Sequence, residues 1–167
     1  MSRNTFNILF VCSGNSCRSP IAEGLLRIKI PPHLRDRVSV ASAGTLGLYG
    51  NPATFFAIKV ANDLGADIAN HQSQGVTEDL LQDMDIIFAM AVEHQDYLQK
   101  NFTEFRENVF LLKAFARPTS DNFHESIEDP IGGSLAVYQE CARIIDEELD
   151  RILPRLIQLS EEKLKSE

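Results

Sequence analysis

Two side chains with the chemistry to act together stand six residues apart, Cys12 and Arg18, in Val11-Cys12-Ser13-Gly14-Asn15-Ser16-Cys17-Arg18-Ser19-Pro20. The five residues between them make a loop just long enough to close around one tetrahedral anion. A thiolate is the reactive form of cysteine, and nearby cations and backbone N–H groups at a helix start stabilise it. Gly14 lets the backbone turn its N–H groups toward one centre, so residues Ser13 to Cys17 can form an anion nest. The planar fork of Arg18 matches two oxygens of a phosphate. Ser19 is placed to hydrogen-bond the sulfur. Cleaving a phosphate ester takes a nucleophile, donors for the oxygens and an acid for the leaving group, and this stretch offers the first two. A lone cysteine at a strand end would read as a packing residue. The spacing to Arg-Ser-Pro sets this one apart. The stretch has no Gly-Lys-Ser/Thr, which excludes a Walker-type nucleotide loop, and Cys12 with Cys17 lacks a second ligand pair for zinc.

The elements on either side must hold that loop in place. Residues 6–12 form an apolar run that reads as strand 1, and residues 19–30 read as a helix with Ser19 as N-cap and Pro20 at its first position. Pro31-Pro32 stops that helix, and residues 38–42 alternate as strand 2. A glycine-rich loop from Ala43 to Gly50 follows. Asn51-Pro52 then opens a helix whose apolar side comprises Phe55, Phe56, Ile58, Val60, Ala61 and Leu64, with Gly65 ending it. Thr77-Glu78-Asp79 starts a short helix. Residues 85–90 read as strand 3, apolar from Ile86 onward as a strand covered on both faces should be. A helix over 93–101, a strand over 109–112 and a polar loop over 114–128 come next. A long helix spans about 135–159, with Val137, Cys141, Ile144, Ile145, Leu149, Ile152, Leu153 and Leu156 on one face. Pro154 should bend it or end its regular part, and the charged residues 161–167 should fray. Alternating strands and helices predict an α/β fold, a three-layer α/β/α arrangement around a four-stranded parallel sheet. Ligands in such sheets bind at the carboxyl ends of the strands near a topological switch point, where the loop after strand 1 lies.

At 167 residues, with 44% hydrophobic and 24% charged residues, the chain is sized and composed as one globular domain over 1–160 plus the tail. A net charge of −8 argues against nucleic acid as a partner, because the phosphate backbone would be repelled. Any anionic ligand must therefore be held by local positive potential, for which Arg18 and a helix N-terminus suffice. The longest apolar runs fall far short of the roughly 20 residues that span a bilayer. The N-terminus lacks a signal-peptide layout, and three cysteines make no disulfide framework. The expectation is a cytoplasmic monomer with no metal and no cofactor.

Val11-Cys12-x-Gly14-Asn15-x-Cys17-Arg18-Ser19-Pro20-x-Ala22-Glu23 resembles the low-molecular-weight protein tyrosine phosphatases. The resemblance continues through Ser42-Ala43-Gly44, His71, the segment ending in Met90, and Glu128-Asp129-Pro130, so it covers essentially the whole chain. It implies a cysteinyl-phosphate intermediate and phosphorylated proteins as substrates. It also implies that Asp129 is the general acid; read alone, an aspartate before proline would be a turn residue. It further implies a network of Asn15, Ser19, Ser42 and His71 supporting the loop, with Asn15 in a left-handed conformation that asparagine tolerates. His71 by itself is as readily a structural histidine. Cys17 is either a packing thiol or, as in the family, a redox partner that protects Cys12. Cys141 reads as core, and His33, His94 and His124 receive no role.

The substrate question turns on two departures. The tyrosine branch carries a bulky aliphatic residue four positions after the nucleophile and aromatics after Asp-Pro. Here those places hold Ser16 and Ile131-Gly132-Gly133-Ser134. Both resemble the bacterial protein arginine phosphatases of the same family, although Ser16 replaces a threonine and Ile131 an aromatic. Tyr49 and Ile131 are candidate pocket walls, Tyr49 being equally readable as an exposed loop residue. Phosphotyrosine hydrolysis is the principal expectation and phosphoarginine hydrolysis the alternative. Arsenate reduction on the same scaffold would need a resolving cysteine pair, which residues 70–100 do not contain. A non-catalytic phosphoprotein-binding module would be expected to lack Cys12 or Asp129.

Overall fold

The computed structural model describes residues 4–118 and 120–166; residues 1–3, 119 and 167 lie outside it. The chain forms β1 (Phe6–Cys12), α1 (Arg18–Lys29), β2 (Val38–Gly44), α2 (Phe55–Asp63), α3 (Glu78–Gln82), β3 (Ile86–Ala89), α4 (Val92–Asn101), β4 (Val109–Leu111) and α5 (Leu135–Lys165). The four strands are parallel, in the order β2-β1-β3-β4. The chain therefore leaves β1 toward one side for β2 and returns to its other side for β3. The crevice between the carboxyl ends of β1 and β3 is the switch point at which ligands bind in such sheets.

Successive β1 side chains point to opposite faces. Ile8 and Phe10 pack against α1, α2 and α5, with Phe10 stacked on Phe88 at 5.5 Å between centroids. Leu9 and Val11 join Leu81 and Leu98 beneath α3 and α4. Each such buried side chain contributes about 1.5–3 kcal/mol relative to leaving it in water. β1 is thus paired on both edges and covered on both faces, and the loop at its carboxyl end starts from that fixed strand.

Several expectations need correction. Helix α1 begins at Arg18 with Cys17 as a cap whose side chain makes no capping hydrogen bond, so Ser19 is not the N-cap and Pro20 not the first position. The Ser19 hydroxyl is engaged elsewhere, with Cys12 and Asn15. Strand β2 runs on to Gly44 because its last residues pair with Val11 and Cys12. Thr54 caps α2, and Phe55 is 78% exposed rather than on its buried side. Helix α5 buries Tyr138 where Val137 was expected, leaving Val137 47% exposed. It also passes through Pro154 and reaches Lys165 without fraying at 161. Pro154 faces solvent, where water can satisfy the carbonyl that proline leaves unpaired. The far end of α5 is anchored by Lys163, whose Nζ donates to Thr5 O at 2.9 Å and pairs with Asp85 at 2.9 Å.

Candidate active site

The loop between β1 and α1 is held from outside by its carbonyls. Thr45 N–H donates to Cys12 O at 2.9 Å, Leu46 N–H to Ser13 O at 3.0 Å, and Thr54 N–H to Ser16 O at 3.0 Å. His71 Nε2 donates to Asn15 O at 2.7 Å. In a trans peptide the C=O of one residue and the N–H of the next point in opposite directions. With those four carbonyls drawn outward, the N–H groups of Ser13, Gly14, Ser16 and Cys17 turn toward the loop's centre. The result is a ring of donors at the start of a helix, where an anion is favoured.

Asn15 fastens the ring at its most strained point, with φ of 55°. Its Oδ1 accepts from Gln74 N–H at 3.0 Å, which fixes the amide's orientation because a backbone N–H can only donate. Nδ2 therefore donates, to Ser19 Oγ at 2.8 Å and Ser42 Oγ at 2.9 Å. Ser19 Oγ, already accepting from Asn15, has its own proton free for Cys12 Sγ at 2.8 Å. A donor so placed stabilises a thiolate. Gly44 is required beside this knot: a Cβ there would sit 2.5 Å from Ser13 O and 2.9 Å from Asn15 N. Behind His71, Glu23 approaches with Oε2 3.9 Å from Nδ1; burial pushes the Glu23 carboxyl upward, opposed by the charges of Arg27 and His71.

Arg18 is a buried cation whose fork bridges the loop to a distant segment. Nη1 donates to Ile127 O at 2.9 Å; Nη2 donates to Ser13 Oγ at 3.4 Å and pairs with Asp129 Oδ2 at 3.5 Å. Asp129 remains 41% exposed, and its Oδ1 accepts from Ile131 N–H at 3.1 Å. The turn role and the approach to Arg18 are thus filled by the two oxygens of one carboxylate. The segment carrying it docks on the end of β3, where Ile127 N–H donates to Met90 O at 2.9 Å.

The structure therefore brings together Cys12, Ser13, Gly14, Asn15, Ser16, Cys17, Arg18, Ser19, Ser42, His71 and Asp129. Cys17 Sγ lies 3.4 Å from Tyr138 Oη and 3.5 Å from Thr54 Oγ1, and all three cysteines are free thiols. Ser16 is half-buried on the loop, its Oγ 3.8 Å from Cys17 Sγ. Ile131 is exposed next to the acid-bearing turn. Tyr49 is 64% exposed and leans over Gly75, where a Cβ would come within 2.9 Å of its hydroxyl. Cys141 lies beneath the Asp129 segment, and burial pushes its thiol up to about 12.

One histidine that received no role from the sequence stands at the site. His94, 1% exposed, places Nε2 2.9 Å from Ser13 Oγ, while its Nδ1 accepts from Ala91 N–H at 3.1 Å. Burial, and then the Arg18 guanidinium, push this imidazole down to about 4, against weaker opposing effects of Glu93 and Asp129. The available signal was its position, in the first turn after the strand that neighbours β1 across the switch point.

A cysteine in an anion ring, a bidentate arginine and a facing aspartate, at the switch point of a parallel sheet, define a cysteine-based phosphatase site. The sequence pattern of the family described as low molecular weight phosphotyrosine protein phosphatase matches residues 7–165, and the chain belongs to that family. It is 32% identical over 150 residues to a protein-arginine-phosphatase of Bacillus subtilis, covering 90% of this chain and 96% of that one. It is 35% identical over 149 residues to a probable low molecular weight protein-tyrosine-phosphatase of Ralstonia nicotianae, covering 89% and 94%. The crystal structure of a low molecular weight protein tyrosine phosphatase from T. tengcongensis superposes with a TM-score of 0.80 at 32% identity, covering 90% of this chain and 99% of that one. Among the described residues, no helix is long and apolar enough to cross a membrane.

Proposed function

We propose that this chain hydrolyses phosphotyrosine on proteins through a phosphate ester of Cys12. The observation that carries the reading is the meeting of three groups at one point. Cys12 Sγ takes the Ser19 hydroxyl at 2.8 Å, and Arg18 Nη2 lies within 3.4 Å of Ser13 Oγ and 3.5 Å of Asp129 Oδ2. In the first step the Cys12 thiolate attacks phosphorus, the bond to the tyrosyl oxygen breaks, and Asp129 gives that oxygen a proton. Arg18 and the inward N–H groups hold the phosphoryl oxygens as charge spreads over them. In the second step the Asp129 carboxylate takes a proton from water, which attacks phosphorus. The S–P bond breaks, and the thiolate leaves with the Ser19 hydroxyl again donating to it.

Phosphoarginine is the second reading, favoured by Ser16 and by the turn after Asp129. Gly132 has φ of +77°, and a Cβ at Gly133 would meet Pro130 O and Val137 at 2.9 Å, so that turn cannot carry aromatic walls at either position. The Bacillus subtilis relative's name points the same way. Parallel turnover of a phosphotyrosine and a phosphoarginine peptide separates the two. The expected result is faster phosphotyrosine cleavage, with Ser16→Ile raising the ratio and Ser16→Thr lowering it. Faster phosphoarginine cleavage would establish the second reading, and a ratio unmoved by either variant would remove Ser16 as the selector.

The reading places the protein in the cytoplasm, where its three thiols stay reduced, acting as a monomer on phosphorylated proteins. The redox role for Cys17 rests on the family resemblance: a sulfenic acid on Cys12 would condense with the Cys17 thiol, releasing water and forming a reducible disulfide.

A further inference from the structure

The hydrogen bonds around Ser13 determine which way its hydroxyl proton can go. A backbone N–H can only donate, so the 3.1 Å contact from Ala91 N–H requires His94 Nδ1 to be unprotonated. The neutral ring then carries its proton on Nε2, and that N–H donates to Ser13 Oγ at 2.9 Å. Arg18 Nη2, which has no acceptor capacity, donates to the same oxygen at 3.4 Å. A hydroxyl has two lone pairs and one proton. Both lone pairs are taken, and neither partner can receive the proton. Ser13 is left as a donor to a third group.

We propose that His94 is a positioning residue for phosphoryl transfer, which with Arg18 fixes the Ser13 hydroxyl as an outward donor to the phosphoryl group or its leaving atom. The placement supports this. Ser13 is half-buried on the loop, and the Arg18 Nη2 that touches it is the one 3.5 Å from Asp129, the flank on which the leaving group is protonated. The contact also closes a ring. Ser13 is held by His94, the Met90 carbonyl at the same turn receives Ile127 N–H, and the Ile127 carbonyl receives Arg18 Nη1, whose Nη2 returns to Ser13. His94 is thereby the strut between the anion loop and the turn on which the acid segment docks. The mate of this arrangement is Ser19, whose proton is aimed at Cys12 because Asn15 occupies it as acceptor. One loop hydroxyl serves the nucleophile and the other serves the substrate.

The inference rests on the phosphatase reading, and two isosteric halves of histidine test it. His94→Asn keeps an acceptor near the Nδ1 position for Ala91 N–H but cannot reach Ser13. His94→Gln can place an N–H near the Nε2 position but loses the Ala91 contact. Turnover of an aryl phosphate should fall about tenfold in both kcat and kcat/KM for His94→Asn, the loss of one donor made in the transition state. His94→Gln should recover most of that loss. Ser13→Ala should fall as far as His94→Asn, and the double variant no further. A merely structural His94 predicts the reverse order, with Asn near wild type and Gln impaired, and that result overturns the proposal. So does Ser13→Ala at the wild-type rate, a variant that leaves the turn after β3 untouched and stays informative even if the His94 variants fail to fold. Activity that survives in Cys12→Ser would instead mean that the phosphatase reading itself has failed.

Discussion

The two loops that meet at the site are built on opposite plans. The anion loop after β1 is tightly tied, with four carbonyls fastened from outside, Asn15 buried and held at positive φ by four hydrogen bonds, and a glycine at position 44 to admit it. The acid segment hangs by fewer ties. Ile127 is bonded at both its N–H and its carbonyl, and Asp129 itself is exposed and reaches Arg18 only through the 3.5 Å pair. The difference teaches which half must be preorganised. Donors that stabilise developing charge work only if they are in place beforehand. A proton donor need only come within reach of its target when the substrate is bound.

This contrast can be tested by breaking each half in turn. The largest loss is expected from Arg18→Lys, which keeps the charge but removes the fork joining Ser13, Ile127 and Asp129. Turnover should drop about 10³-fold for every substrate alike, read as kcat on aryl phosphates of graded acidity. Asp129→Asn strikes the loosely tied half and should lower kcat/KM, which reports the first chemical step, by about 10²-fold for poor leaving groups and little for good ones. An equal loss on good and poor leaving groups would take the acid role away from Asp129.

Two further tests concern the fixed half. His94 has its folded pKa depressed from 6.5 to about 4, so the unfolded chain binds the extra proton first. Its contribution to stability is complete above about pH 6.5 and is lost as pH falls toward 4, by about 3 kcal/mol at most. Melting curves across that range should be steeper in pH for the wild type than for His94→Asn; parallel curves would contradict the assignment. Gly44→Ala should destabilise by about 1–3 kcal/mol, because its methyl must displace the backbone of Ser13 and Asn15. Chemical denaturation reads that change, with an accompanying fall in kcat because the anion ring is distorted.

Much of this was legible in the sequence, for definite reasons. Strand β3 is apolar without interruption and β1 apart from Asn7, because both faces are covered, and the anion loop announces itself by spacing alone. Asp129 is legible as a turn residue and through resemblance, but its reach to Arg18 depends on the sheet order. His94 was missed because nothing local distinguishes it. Its role exists only once β3 lies beside β1, which brings the first turn of α4 against Ser13. The carbonyls of Ile127 and Met90 were equally invisible, since every residue has one and only topology says which are used. Phe55 and Val137 were misplaced because a helical stripe fixes the periodicity of a face and leaves its edges undetermined by one residue. Pro154 was overread, since a proline on the solvent side of a packed helix leaves its free carbonyl to water.

In this chemistry phosphorus must pass through Cys12. Asp129→Ala should slow breakdown of the intermediate, and an aryl phosphate with a good leaving group forms it without the acid, so acid-quenching that variant during turnover of such a substrate, followed by peptide mass analysis, is the direct test. A phosphate is expected on the peptide containing Cys12, absent when Cys12→Ala is added to the same variant. Turnover with no phosphate on that peptide, or a phosphate on any other residue, would contradict it.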